Sequence, residues 1–243
     1  MENTYFKKIG SFQGISSFTL KLIAILTMLI DHSAAVFLGS AISVPRLIGR
    51  IAFPIFAFMI AEGAARTHSV KKYALRLFVF ALISEIPFDL ALMGTSFSQP
   101  IELSHQNVFF TLTLGLLAIA ARQRLYKTEQ RLLCIPVLLL CMASALILKT
   151  DYADSGVLCI YLFYVFSQKE NRIRIPGFIL AAAVPSLSII NLSVYKPELF
   201  ALFGLIPIFL YNGERGAKIN RYVFYAFYPA HLMLLFLLHL ILR

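Results

Sequence analysis

The chain has 243 residues, of which 59% are hydrophobic and only 14% are charged; soluble domains carry about a quarter charged residues. This composition excludes an ordinary soluble domain. The formal net charge of +10 does not indicate nucleic-acid binding, because the basic residues lie in short stretches between apolar runs. Several runs approach the roughly 20 residues that cross a bilayer as a helix. We therefore expect an all-α, polytopic integral membrane helical bundle.

Nine apolar runs follow one another along the chain, and each predicts a membrane-spanning helix. Their bounds are 20–39, 47–64, 73–93, 107–122, 131–149, 155–168, 175–193, 198–212 and 222–242. Residues 1–19 are expected to form a cytoplasmic N-terminal segment, and residues 20–243 a single transmembrane domain. The cysteines Cys134, Cys141 and Cys159 all lie in apolar runs, so they predict neither a disulfide framework nor a metal site.

The basic residues alternate between the two ends of these runs. One side carries 17 of the 22 Lys and Arg residues. Since cytoplasmic loops are enriched in Lys and Arg, this bias places the N-terminus in the cytoplasm and the C-terminus outside. The pattern predicts a multi-pass protein of the plasma or inner membrane. The other side holds Arg46, Arg50, Lys149, Lys196 and Arg243.

The first run, LKLIAILTMLIDHSAAVF, contains adjacent Asp31 and His32. A charge at membrane depth costs at least ~3 kcal/mol and is by default a hypothesis of function. The structural alternative is that Asp31 pairs with an arginine of another helix. Adjacent helical side chains point about 100° apart, so Asp31 and His32 do not face each other. We expect His32 to take its partner from another helix and to act as a general base, with a carboxylate fixing its tautomer.

Other ionisable and polar residues fall in the same layer, between the middle of the membrane and its outer face. His32 lies about 18 Å into a core about 30 Å thick. The shared depth predicts a polar cavity that is open to the outside. The alternative is a set of ion pairs, such as Arg50 with Glu85 or Asp89. The other members of the layer are Arg46, Gln106, Asn107, Asp151, Asp154 and His231.

A basic cluster lies at the cytoplasmic side, where the second and third runs meet. It contains Glu62, Arg66, Lys71, Lys72 and Arg76. These residues are either topology anchors or a phosphate-binding mouth for an anionic cytosolic molecule. The sequence has no glycine-rich phosphate loop, HExxH motif or nucleophile elbow. This leaves acid–base chemistry on bound substrates, and neither a metal nor a nucleic acid is expected.

Six segments together resemble a known family. They are LKLIAILTMLIDHSAAVF, RLIGRIAFPIFAFMIAEG, ALISEIPFDLAL, QNVFFTLTLGLLAI, DYADSGVL and YVFYAFYPAHLMLL. In this order they are similar to the TraX family, from about residue 20 to residue 240. That family is associated with N-terminal acetylation of the pilin subunit, and it resembles the wider transmembrane acyltransferase superfamily.

The resemblance implies an acetyltransferase that uses acetyl-CoA as donor and His32 as the catalytic histidine, with Lys21 at the basic start of the motif. Asp31, Glu85 or Asp89 would be its carboxylate partner. The expected donor site is Arg66, Lys71, Lys72 and Arg76, and the expected acceptor or oxyanion site is Arg50, Asn107, Asp151, Asp154, Tyr228 and His231. Transfer could be direct or through an acetyl-histidine.

The acceptor remains open between a peptide or pilin amine, a lipid headgroup and a glycan hydroxyl. Two functions of other classes also remain. A proton-coupled small-molecule transporter would use mid-membrane histidines and carboxylates on proline-broken helices. A non-catalytic membrane assembly subunit would use its polar residues only as structural pairs, and His32→Ala would then be harmless.

Overall fold

The computed structural model describes residues 14–39, 42–188, 193–194 and 196–242. Most of the predicted N-terminal segment 1–19, including Lys7 and Lys8, lies outside these ranges, as does Arg243. The α-helices are α1 (Ser17–Leu38), α2 (Val44–Gly49), α3 (Ala52–Arg66), α4 (Val70–Phe88), α5 (Val108–Lys127), α6 (Cys134–Ile147), α7 (Ala153–Ser167), α8 (Asn171–Ala183), α9 (Leu205–Phe209) and α10 (Arg221–Leu242). A π-helix covers Asp89–Met93, and 3₁₀ helices cover Arg131–Leu133, Val184–Ser186 and Lys196–Gly204.

Helix α1 begins where the first apolar run predicts it. Ser16 caps the helix, and its side-chain oxygen accepts a hydrogen bond from the backbone nitrogen of Thr19 at 3.3 Å. The helix ends at Gly39, whose φ of 58° lies in the left-handed region that glycine adopts without cost. Helix α1 packs against α2, α3 and α10, which brings its middle residues into contact with three other helices.

The second predicted span is broken into α2 and α3. Pro54 has no backbone N–H, so the carbonyl of Arg50, four residues earlier, loses its helical partner, and the helix breaks there. The break lets α2 lie close against α1. A Cβ atom at Gly49 would sit 2.2 Å from the Cβ of Asp31, so only glycine fits at this approach. As a result, the arginines of this segment lie beside Asp31.

The third predicted span also changes geometry at a proline. Pro87 lies inside α4, and from Asp89 to Met93 the chain continues as a π-helix. Such π-turns are rare and often occur at functional sites. The helical stretch ends at Gly94, with a φ of 73°. The bounds Val70–Met93 agree closely with the predicted span 73–93.

The predicted spans 175–193 and 198–212 differ from what is observed. Helix α8 ends at Ala183 and the chain continues as the 3₁₀ helix Val184–Ser186, because Pro185 has no backbone N–H to donate to the carbonyl of Ala181, four residues earlier. The chain then forms a short antiparallel ladder between β1 (Leu187–Ser188) and β2 (Ser193–Val194); residues 189–192 lie outside the described ranges. The eighth run begins within the 3₁₀ helix Lys196–Gly204, which is followed by the five residues of α9.

The surface and the interior both fit a membrane bundle. Within the described ranges, four stretches are long and apolar enough to cross a membrane: Ser17–Leu38, Val44–Arg66, Val108–Lys127 and Arg221–Leu242. Three shorter apolar stretches accompany them: Arg131–Ile147, Ala153–Ser167 and Pro197–Phe209. Large apolar side chains such as Leu132 and Ile241 are 89% and 78% exposed, as is normal towards lipid. Small buried residues such as Ala57 and Ala61 let helices approach closely. The all-α membrane fold is therefore confirmed.

Candidate functional site

Several predicted site residues line a cavity near the end of the bundle that the loop charges predict to face outward, and we call it the outer cavity. Its volume is about 210 Å³. Helices α1 and α10, the α2–α3 junction and the outer connections all contribute to its wall. The predicted site residues in its lining are Asp31, His32, Arg50, Asp151 and Tyr228. A polar cavity of this kind was the central prediction from residue depth.

His32 in α1 forms a hydrogen-bonded pair with His231 in α10. His32 Nδ1 lies 2.7 Å from His231 Nε2, and the two rings are within 4° of parallel. His231 Nδ1 lies 2.8 Å from the carbonyl oxygen of Phe227. A carbonyl can only accept, so His231 carries its hydrogen on Nδ1. In the neutral pair His231 Nε2 therefore accepts and His32 Nδ1 donates.

This arrangement leaves the lone pair of His32 on Nε2. An imidazole held in one tautomer, with a lone pair beside a cavity, is suited to take up a proton. Within the described part of the chain, the hydrogen-bond partner that fixes the tautomer is His231 and not a carboxylate. The Tyr228 ring lies edge-on to both imidazoles, with centroids 5.9 Å and 5.7 Å away.

Asp31 belongs to a network of two acids and two arginines. Its Oδ1 accepts a hydrogen bond from Arg46 Nη1 at 2.8 Å and lies 3.8 Å from Arg50 Nη2. Arg50 Nη1 donates to Glu198 Oε1 at 2.7 Å. Arg50 thus pairs with Glu198 rather than with Glu85 or Asp89, because the 3₁₀ helix Lys196–Gly204 packs on α2. Asp31 therefore pairs with an arginine of another helix, as the structural alternative for this residue predicted.

The tight turn after α6 has unusual backbone geometry. Lys149, Tyr152 and Ala153 have φ values of 52°, 61° and 41°, which cost roughly 1–3 kcal/mol each in residues other than glycine. The hydroxyl of Thr111 donates to the carbonyl of Asp151, and the Tyr152 ring stacks on Phe53 with centroids 3.7 Å apart. These contacts hold Asp151 and Tyr152 in the wall of the outer cavity. Burial raises the pKa of Tyr152 well above its ordinary range, so its hydroxyl stays a neutral donor.

Two outer connections meet at the mouth of this cavity. The backbone nitrogen of Gln106 donates to the carbonyl of Lys149 at 3.0 Å, and that of Asp151 donates to the carbonyl of Gln106 at 2.8 Å. His105 Nε2 lies 3.6 Å from Asp151 Oδ1. The carboxylate of Asp151 raises the pKa of His105 above its ordinary value, despite partial burial. The sequence assigned no role to His105.

The structure places Glu85, Asp89 and Asn107 away from the described lining of the outer cavity. Asn107 is fully buried, and its amide donates to the carbonyl of Ala81 at 2.8 Å and to the carboxylate of Glu85. Its side-chain oxygen caps α5. Asp89 Oδ2 accepts from the backbone nitrogen of Glu102 at 2.8 Å. The Asn107 contacts join α4 to the start of α5, and the Asp89 contact joins the π-helix to the loop that follows it.

Asp154 also lies outside the described lining of the outer cavity. It is buried in the first turn of α7, where a negative side chain suits the positive end of a helix. Among the described residues, no three His, Cys, Asp or Glu side chains come close enough to hold a metal ion.

A larger cavity, which we call the inner cavity, lies towards the basic side of the bundle. Its volume is about 440 Å³. Glu62 is its buried acid: its Oε1 lies 2.9 Å from Arg66 Nη2 and accepts a hydrogen bond from the hydroxyl of Tyr211. The cations in the lining are Lys21, Arg66, Arg76, Arg215 and Arg221, and the aromatic residues include Tyr73, Phe224 and Tyr225. The described lining of the inner cavity therefore has five basic side chains and one acidic side chain.

Only two of the four residues predicted for the donor site line this cavity. Arg66 and Arg76 line it, whereas Lys71 and Lys72 are exposed on the first turn of α4 and lie outside its described lining. Sequence reasoning used Arg215 and Arg221 for orientation alone, and it placed Lys21 at the basic start of the motif that the family resemblance implies. It did not single out Glu198 or Tyr152 either. Glu198 is the first residue of the eighth apolar run. Assigning a membrane depth to every polar residue would therefore have placed it in the same layer as Arg50.

Comparison with known proteins agrees with this architecture. The family described as "TraX protein" matches residues 16–239. The chain is 31% identical over 247 residues to "Probable fimbrial assembly protein FimC, serogroup H1" from Dichelobacter nodosus, an alignment that covers 90% of this chain and 94% of that protein. No solved structure matches the chain. The match over nearly the whole chain shows that this protein belongs to the TraX family.

Proposed function

We propose that this protein is an acetyltransferase of the inner membrane, which moves an acetyl group from cytosolic acetyl-CoA to an amine presented from the outer side. One observation carries the proposal. The basic inner cavity and the outer cavity adjoin, with shared lining residues, and His32 with its free Nε2 lone pair lines the outer one.

The charges of the inner cavity support a phosphate-bearing donor. Five cations line it, and arginine pairs well with phosphate because its guanidinium donates two parallel hydrogen bonds. Its aromatic rings offer apolar and stacking surface for the remainder of the donor. By the positive-inside rule this cavity faces the cytoplasm, which contains acetyl-CoA.

His32, in the lining of the outer cavity, would act as the general base of the acyl transfer. His32 Nε2 would accept the proton of the acceptor nitrogen as that nitrogen bonds to the thioester carbonyl carbon. His32 would then return the proton to the sulfur as the carbon–sulfur bond breaks, so that coenzyme A leaves as a thiol. The hydrogen bond to His231 keeps the correct ring nitrogen free throughout. Binding both substrates side by side would supply much of the rate.

Negative charge develops on the carbonyl oxygen during this step and needs a donor. Arg50, Tyr152 and Tyr228 line the outer cavity and carry the groups for it. Asn107 and His231, the other expected donors, already use their polar atoms in contacts with other groups of the protein. We therefore assign those two residues to positioning.

The acceptor that we favour is the N-terminal amine of a pilin-like peptide. The D. nodosus relative is named as a fimbrial assembly protein, and the TraX resemblance implies pilin acetylation. A lipid headgroup or a glycan hydroxyl would use the same proton transfer.

The decisive experiment measures coenzyme A release by the purified protein in lipid nanodiscs. The acceptors are a synthetic peptide with a free N-terminal amine and the same peptide with a formylated N-terminus. We expect acetyl-CoA cleavage only with the free amine, and a loss of roughly 10²- to 10⁴-fold in His32→Ala. Mass spectrometry should find one acetyl group on the peptide. Equal release by wild type and His32→Ala would contradict the proposal.

A carrier is the second candidate, because two adjoining cavities directed to opposite sides are also what alternating access requires. Substrate flux into liposomes without coenzyme A release would favour it. An assembly subunit without chemistry would show neither activity, and His32→Ala would still support assembly.

A further inference from the structure

The two cavities share four lining residues, which we call the partition. They are Met28 of α1, Phe56 of α3, Val108 of α5 and Tyr228 of α10. Each comes from a different helix, so the partition lies where four helices converge. Met28 and Tyr228 are 8% and 4% exposed. Three of the four side chains are purely apolar or a thioether, and only Tyr228 brings a polar atom.

The cavities on the two sides of the partition differ in size and charge. The inner cavity has a volume of about 440 Å³ and carries the five cations, whereas the outer cavity has a volume of about 210 Å³ and holds His32. If the proposed function is correct, the phosphates of the donor stay on the basic side. The thioester must then pass between the partition residues to reach His32.

The volume of the outer cavity limits what can pass. An apolar cavity of about 150 Å³ holds one benzene molecule, which has six carbon atoms. The outer cavity, at about 210 Å³, has roughly 1.4 times that volume, and it must hold the acyl group together with the amine end of the acceptor. A two-carbon acyl group fits beside an amine, whereas a six-carbon chain would fill the space that the acceptor needs. A long chain would instead have to lie against Met28 and Phe56.

We propose that Phe56 and Met28 determine the acyl-chain length of the donor, because their side chains close the passage around the thioester and leave room for a short acyl group only. This inference rests on the proposed function. Apolar pockets discriminate by roughly 10- to 200-fold for one methylene group. Removing the Phe56 ring opens the space into which additional methylene groups would extend.

The test measures binding, so that it does not depend on the acceptor. The probes are S-(2-oxopropyl)-CoA and S-(2-oxoheptyl)-CoA, unreactive ketone analogues of an acetyl and a hexanoyl donor. Titration calorimetry in nanodiscs should show that wild type binds the short analogue at least about 10-fold more tightly. Phe56→Ala should reduce this preference to within about 3-fold, mainly by improving affinity for the long analogue, and Met28→Ala should act in the same direction.

The matched control is Phe110→Ala, since Phe110 is a half-buried phenylalanine of α5 that packs against Phe78 and lines neither cavity. It should keep the wild-type preference. Phe56→Trp narrows the passage and should increase the preference for the short analogue over the long one. This variant provides a second test if Phe56→Ala fails to fold. If wild type binds neither analogue, the proposed function fails. If it binds both and the preference is the same in every variant, the role of the partition is refuted while the proposed function stands.

Discussion

The hydrogen bond between His32 and His231 leads to a sharp prediction for His231→Phe. Phenylalanine keeps an aromatic ring in the buried position, where His231 is 5% exposed, but removes the acceptor for His32 Nδ1–H. The ring of His32 then has no acceptor at Nδ1, and the tautomer that carries its hydrogen on Nε2 gains in population. That tautomer cannot take a proton at Nε2, so we expect activity to fall while the fold persists.

The size of the effect follows from the lost contact. Leaving one buried N–H without an acceptor costs about 1–3 kcal/mol. Because each 1.36 kcal/mol corresponds to about a tenfold change in rate, the expected loss is between about 5-fold and 150-fold. This is smaller than the roughly 10²- to 10⁴-fold loss expected for His32→Ala, which removes the base itself. The order of the two losses is therefore part of the prediction.

The assay is coenzyme A release with saturating acetyl-CoA and the free-amine peptide in nanodiscs. The matched control is His239→Phe, which makes the same substitution eight residues later in α10, where the ring lies 5.9 Å from that of Phe37 and outside the lining of both cavities. We expect the control to keep activity within about 2-fold of wild type. If His231→Phe matches this control while His32→Ala is inactive, the reasoning about the tautomer is wrong.

Three other predictions test the surroundings of the site. Arg50→Gln should lower the resistance to graded SDS unfolding more than Arg46→Gln, because Arg50 neutralises two buried acids, and breaking such pairs costs about 3–5 kcal/mol; equal losses would contradict this. The pKa of His105 is raised above 6.5 by its acidic partner, so its stabilisation is fully present below that pH and is lost as pH rises through the raised value. The difference in melting temperature between wild type and His105→Gln should therefore be larger at about pH 5.5 than at about pH 8.5, and a difference independent of pH would refute the pairing. Arg76→Gln should weaken coenzyme A binding by about 5-fold or more, whereas exposed Lys72→Gln should change it less, and the opposite order would disfavour the inner cavity as donor site.

The sequence predicted the class of fold because hydropathy and loop charge act locally. Apolar length indicates spans and basic loops indicate orientation. Departures occur where a proline removes a helical hydrogen bond. Pro54 divides the second span, and Pro185 ends α8 before the predicted bound. Both prolines are visible in the sequence, but the consequence depends on whether neighbouring helices support the helix through the proline, as they do for Pro229 in α10.

The layer of the site was predictable, whereas its pairing was not. Depth in the membrane follows from residue counting, so His32 and His231 could be assigned to similar levels. Their contact joins residues 199 positions apart in the chain, and no local pattern encodes it. The same holds for Arg50 and Glu198, which are 148 positions apart. The lateral positions of the helices decide such partners, and a single sequence does not contain them.

The break between α2 and α3 makes one membrane crossing into two independently adjustable parts. The outer part carries Arg46 beside Asp31, and Arg50 lies at the break itself. The inner part carries Phe56, Glu62 and Arg66, which line the inner cavity. If the proposed function is correct, exchanging residues 44–48 between relatives, with Gly49 kept, should change which acceptor binds, while donor binding stays with the recipient chain. Under that proposal, the five residues 44–48 would change the choice of acceptor while the inner cavity keeps its lining.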